Sequence, residues 1–210
     1  MSRRFLLGLL APFTVLVLIG GGVASASHTT NQLDVCCAWN GSLNDSDNDG
    51  LADLTYSISG GDAVDQATVE AAVEAWETAL AGYGFELNKV AAGSGENFKI
   101  RLQSGGGVVA GSARRSFDKQ GFVKSVDLKV TLKSFGIASD QEKIGEITRH
   151  ESGHALGVNH ADFDDLMDAT VGGANVISGC DVSGVVAAQH WKLVEGSTTP
   201  HKPHVTHVGC

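Results

Sequence analysis

Residues 150–160 read HESGHALGVNH and set three of the chain's eight histidines at intervals of four and six. Glu151 stands beside the first histidine and Gly157 lies between the last two. Helical residues four apart lie one turn up the same face, so His150 and His154 can aim at one point. On an unbroken helix His160 would sit about 9 Å beyond His154 and be rotated away from it. If the three rings share a target, the helix must end between them. Glycine accepts the left-handed conformation of a sharp stop, which gives Gly157 its purpose. This stretch therefore predicts a helix, an abrupt turn and a returning segment in fixed relation.

Imidazole nitrogens bind zinc at about 2.0–2.1 Å, and three neutral histidines leave a fourth position for water. Water so held loses its proton near neutral pH, and Glu151 is placed to take that proton and later pass it to a leaving amine. Zinc would also polarise a scissile carbonyl and stabilise its oxyanion. The expected chemistry is peptide-bond hydrolysis, with His150, His154 and His160 as ligands and Glu151 as general base and acid. The bland alternative, a helix with incidental histidines, has to explain five fixed residues at fixed spacing.

The rest of the chain frames this site. Its 210 residues, 42% hydrophobic, suffice for one domain with a core. Arg3 and Arg4 precede an apolar run, residues 5–23, and Ala24-Ser25-Ala26 fits a cleavage site, so 1–26 reads as an export signal, with an uncleaved membrane anchor as the alternative. Removing 1–26 takes two arginines from the formal charge, (15 − 2) − 24 = −11. So acidic a chain is a poor match for nucleic acid. The expected organisation is a catalytic domain over 27–196 and a surface tail over 197–210, in a protein that is secreted, or held at the cell surface if anchored.

Export makes disulfides the expected state of Cys36, Cys37, Cys180 and Cys210. Neighbouring Cα atoms lie only about 3.8 Å apart, below the usual disulfide range. The expectation is two bridges from Cys36 and Cys37 to Cys180 and Cys210, in either pairing.

Residues 54–58 alternate like a strand. A helix follows, with Asp65 as candidate N-cap and Val69, Val73, Trp76 and Leu80 as its buried stripe. Strands are predicted at 85–90, 98–103, 108–113 and 123–132, then a second helix capped by a Ser139–Glu142 capping box and a third over about 181–193. Trp39, Trp76 and Trp191 are expected in the core.

His150-Glu151-x-x-His154-x-x-Gly157-x-x-His160 resembles the extended zinc motif of the metzincin metallopeptidases. Met167 fits that family's methionine turn beneath the metal, and Gly153, Leu156 and Gly157 resemble its matrixin branch. The likeness runs over roughly residues 39–193. It implies an α/β (α+β) catalytic domain: a mixed, mostly parallel twisted sheet with an antiparallel edge strand, three main helices, and a zinc cleft between a larger N-terminal and a smaller C-terminal subdomain. The edge strand would bind a protein or peptide substrate through its backbone, and residues 108–113 are the candidate. The sequence departs from the family in two ways. Nine residues between Ala26 and Cys36 leave no room for the usual propeptide, and no cysteine-switch motif surrounds Cys36 and Cys37.

Asp45, Asp47, Asp49 and Asp53 occupy positions one, three, five and nine of a loop that resembles the start of an EF-hand, with Gly50 at the bend. Tyr56 replaces the glutamate expected at position twelve, so the loop would need a further ligand, and calcium is the expected occupant. Asp162, Asp164, Asp165 and Asp168 offer carboxylates that could orient a zinc-binding histidine, although a hydrated loop is the plainer expectation. His201, His204 and His207 recur every third residue in a segment expected to be solvated. The rival to an endopeptidase is a calcium-stabilised extracellular binding module whose zinc is structural or catalytically lapsed.

Overall fold

The computed structural model describes residues 31–43, 45, 49–105, 109–134, 137–170 and 175–210. The expected signal segment lies outside them, as does Asp47. The elements run β1 (Gln32–Val35), β2 (Ala52–Ser59), α1 (Ala63–Leu80), β3 (Phe85–Lys89), β4 (Phe98–Gln103), β5 (Gly111–Phe117) and β6 (Val123–Thr131). A short β7 (Lys133–Ser134) and β8 (Ile137–Ala138) precede α2 (Gln141–Leu156), β9 (Val158–Ala161), α3 (Gly179–Ala188), α4 (His190–Leu193) and β10 (His207–Gly209).

Five strands form a mixed sheet in the order β3-β2-β4-β6-β5. The first four are parallel, and β5 runs antiparallel to β6 at the edge. This is the mostly parallel sheet with an antiparallel edge strand, carrying three main helices, that the metzincin resemblance implies. Of the edge strand expected over 108–113, residue 108 lies outside the described residues; β5 begins at Gly111, and Thr131 donates its amide to the carbonyl of Ala110 just before it. A second, antiparallel sheet has the order β10-β1-β9. The chain's first described strand thus lies in the same sheet as its last.

α1 buries Val69, Ala72, Val73, Trp76 and Leu80, a stripe at helical spacing. Its N-cap is Asp62, not Asp65. Val64 and Asp65 donate their amides to Asp62 Oδ1 at 2.8 and 2.9 Å, while Asp65 Oδ2 accepts the Asp62 amide, making a capping box. Two aspartates three residues apart can each cap. Gly60 and Gly61, both at positive φ, turn the chain early enough for the first to do so.

α2 is capped by Asp140, whose Oδ1 accepts the Lys143 amide at 2.9 Å, and not by a Ser139–Glu142 box. Ser139 Oγ instead donates to the Thr131 carbonyl. The two helices pack together, joined where Trp76 Nε1 donates to the Arg149 carbonyl at 2.8 Å. Trp39, Trp76 and Trp191 are all in the core. The expected third helix is broken at Gln189 into α3 and α4.

The cysteines pair Cys36 with Cys37 and Cys180 with Cys210, correcting the expected cross-links. The register explains why. β1 and β10 are antiparallel, with Gln32 opposite Gly209, and Cys210 donates its amide to the Asn31 carbonyl. Cys36 is five residues further along, roughly 17 Å at the strand rise, too far for a bridge to Cys210. Cys180, in the first turn of α3, has its Cα 5.5 Å from that of Cys210. The segment after residue 196 is therefore tied back at its end. No helix among the described residues is long and apolar enough to cross a membrane.

Candidate functional site

α2 stops where the sequence requires. Gly157 adopts φ 108°, and its amide donates to the carbonyls of Gly153 and His154. A side chain here would meet the Cys37 carbonyl oxygen and lie 2.7 Å from Gln189 Nε2, so glycine is needed for space as well as conformation. β9 then turns back and carries His160. The three rings converge: centroids are 4.8 Å apart for His150–His154, 4.9 Å for His154–His160 and 5.5 Å for His150–His160. Their candidate ligand atoms all lie within 4.8 Å of one another.

Backbone carbonyls orient two of the rings. His150 Nδ1 is 2.7 Å from the Leu166 oxygen, and His154 Nδ1 is 3.0 Å from the Val158 oxygen. A proton on each Nδ1 satisfies these contacts and leaves Nε2 as a lone-pair donor. Burial opposes protonation of both imidazoles, lowering His150 and taking His154 down to about 3. Neutral, convergent imidazoles fit a zinc-class cation.

Glu151 points into the same cleft. It is 5% exposed, and its Oε2 is buried with no hydrogen-bond partner. Burial pushes its carboxyl up to about 8, against the opposing pull of the Arg115 guanidinium. The cavity, about 540 Å³, is lined by Glu151 and the three histidines on one side and by residues 109–113 on the other. β5 comes so close that a side chain at Gly111 would meet Glu151 Oε1 and lie 2.6 Å from Ile147 Cγ2.

Met167 packs against α2 at Gly153. It is fully buried, and a Cβ on Gly153 would lie 2.5 Å from its Sδ and 3.1 Å from Trp76 Cζ2. The carbonyl of Met167 accepts the Ala161 amide at 2.8 Å, fixing the turn beneath β9. Asp165 ties this turn to the N-cap of α3, accepting from the Leu166 amide at 2.7 Å and from Ser178 Oγ at 2.8 Å. The carboxylates near His160 thus hold loops: Asp162 accepts from the Gln32 amide and Asp168 from Thr170.

Two residues at this site have no motif to announce them. Arg115 on β5 donates from Nε to the His154 carbonyl at 2.8 Å, from Nη2 to the Val158 carbonyl at 2.6 Å and from Nη1 to Asn159 Oδ1 at 3.0 Å. It clamps the segment in which α2 gives way to β9. Gln189 is fully buried, with Oε1 accepting the Trp39 amide and Nε2 donating to the Leu156 and Cys37 carbonyls. It satisfies polar groups that the helix stop strands in the core.

The aspartate loop is different. Asp45 turns its carboxylate onto the amides of Asp49 and Gly50, and Asp49 accepts from Leu51. Asp53 is buried in β2. Among the described residues, Asp45, Asp49 and Asp53 do not converge as a metal-ligating group. His207 lies in β10, apart from His201 and His204.

No family model matches the chain, and no curated protein matches it. Among solved structures it is similar to two of myroilysin. In one the identity is 17%, covering 61% of this chain and 54% of that chain, with a TM-score of 0.38. In the other it is 14%, covering 74% of this chain and 90% of that chain, with a TM-score of 0.45. The chain thus spans about half the length of the first. Likenesses this faint carry no argument about activity.

Proposed function

We propose that the protein is an exported zinc-dependent endopeptidase of the metzincin type. The observation that carries this reading is the convergence of three imidazoles on a point beside the buried Glu151, whose Oε2 has no hydrogen-bond partner. His150, His154 and His160 would hold the cation, and Met167 supports the turn below it. Zinc, when bound, supplies Lewis acidity towards a water molecule and the scissile carbonyl.

The chain's own residues do the rest. Glu151 takes the proton of the attacking water and returns it to the leaving amine, a task suited to a carboxylate whose burial raises its proton affinity. β5 lies at the sheet edge along the cleft, so an extended peptide would pair with its backbone and be held across the histidines. Such pairing reads main chain, so sequence preference would come from side-chain pockets. Residues 27–196 would form the catalytic unit and residues 1–26 would direct export.

Glu151→Ala tests this assignment. The variant should keep its zinc and lose cleavage of a casein-like substrate by about 10²–10⁴-fold. Chelation should silence the unaltered protein, and zinc should restore it. Near-normal cleavage by the variant would remove Glu151 from its role. A zinc-loaded, folded protein that cleaves no peptide would favour a binding module.

A further inference from the structure

A second group of metal-binding side chains lies outside the cleft. His190 begins α4, Glu195 follows that helix, and His201 and His204 come from the segment beyond it. His190 Nδ1 is 3.1 Å from Glu195 Oε1, His201 Nε2 is 2.7 Å from Glu195 Oε2, and His204 Nε2 is 3.7 Å from Glu195 Oε1. Ring centroids are separated by 4.6 Å for His201–His204, 5.5 Å for His190–His204 and 6.4 Å for His190–His201. One candidate ligand atom from each residue falls within 4.8 Å of all the others, the same bound that the cleft histidines meet. We infer that His190, Glu195, His201 and His204 form a second, structural site for a zinc-class divalent cation.

The donor set favours a closed site. Three imidazole nitrogens and one carboxylate oxygen fill a tetrahedral shell, whereas the cleft offers three histidines and leaves a vertex open. His201 Nδ1 is 3.1 Å from the Lys202 carbonyl and Nε2 is 2.7 Å from Glu195 Oε2, so a cation taking Nε2 would displace the proton shared with Glu195 and leave the Nδ1 contact in place. Only four residues separate His190 from Glu195, five separate Glu195 from His201, and two separate His201 from His204. Such short loops cost little entropy to close. Pro200 and Pro203 flank His201 and restrict the backbone further.

The site would fasten the end of the chain. Lys202, between two ligands, donates to the Gly121 carbonyl and sits 4.4 Å from the Phe122 ring centre, in the turn joining β5 to β6. Beyond His204 the chain enters β10 and reaches the Cys180–Cys210 bridge. A cation here would join α4 to a segment that braces the turn at the far end of the cleft's edge strand. A hydrogen-bonded cluster of histidines around Glu195 is the metal-free arrangement against which this is tested.

Zinc content and zinc titration of the full chain separate the two, independently of the cleft. The unaltered protein should hold about two zinc equivalents. His201→Asn/His204→Asn, at side chains outside the core, should hold about one and keep peptidase activity before chelation. His150→Ala/His154→Ala should also hold about one, now at the second site, and lose activity. In the His201→Asn/His204→Asn protein the segment after residue 196 should be cut faster by an added protease, whereas zinc should protect it in the unaltered chain. Unchanged zinc content in His201→Asn/His204→Asn, or a single equivalent in the unaltered chain that this variant retains, would overturn the inference. Should His150→Ala/His154→Ala fail to fold, the His201→Asn/His204→Asn comparison decides alone.

Discussion

Gly157 and Gly111 limit the cleft in different ways, and their substitutions separate folding from chemistry. Gly157 sits at φ 108° against the Cys37 carbonyl, so Gly157→Ala combines backbone strain with collision. We expect a loss of about 2–3 kcal/mol in urea unfolding, with weaker zinc retention because His160 is no longer returned to its partners. Gly111 has no such backbone requirement, but a methyl group there would press on Glu151 and Ile147. Gly111→Ala should therefore keep zinc and lose at least about tenfold in kcat as the carboxylate is displaced, read by parallel metal analysis and peptide hydrolysis. The grouping of His150, His154 and His160, the place of Glu151 beside them and the helix stop were legible because each must occupy a fixed offset from His150. Arg115 was not: it is one of two adjacent arginines in a strand, and its value comes from meeting His154, Val158 and Asn159, which are distant in sequence. Gln189 likewise becomes intelligible only once the helix end that it satisfies is in place.

The elements were read well where periodicity is long and poorly where chemistry is duplicated. β4 coincides with its predicted span and α1 buries its predicted stripe, because alternation and helical spacing are each sustained over several residues. Both helix starts were misplaced because capping residues stood close together, Asp62 with Asp65 and Ser139 with Asp140, and the preceding turn decides which one caps. The disulfides were misread because spacing along the chain carries no information about the β1–β10 register. One element carries a pH signature. In the loop before β4, Glu96 is held down to about 2, first by its own backbone amide and then by that of Gly93, with Ser57 Oγ donating at 2.9 Å. A carboxylate depressed on folding contributes stability that is present above its unfolded value, about 4.5, and is lost as pH falls towards 2. Glu96→Gln should therefore lower Tm at pH 6, and the difference from the unaltered protein should shrink steadily between about pH 5 and pH 2. An undiminished difference at pH 2 would assign Glu96 to packing alone.

At the scale of the whole molecule, two sheets meet at α2 and its end. The five-stranded sheet supplies the edge strand along the cleft, while the β10-β1-β9 sheet, tied to the Met167 turn, supplies the third histidine. The first of these was foreseeable from the strand order and the family resemblance. The second was not, because β1 and β10 come from opposite ends of the chain and neither carries a pattern naming the other. That pairing brings residues 197–210, expected as a solvated tail, back along the domain. The central claim is that this framework gathers three imidazoles around one zinc ion, with the remaining vertex open towards Glu151. Diffraction from zinc-loaded crystals at the zinc absorption edge measures it directly. An anomalous peak about 2.0–2.1 Å from one nitrogen each of His150, His154 and His160, with no fourth side chain in contact, is the expected result. No peak between rings that point apart, or a peak whose fourth ligand is another protein side chain, would contradict it.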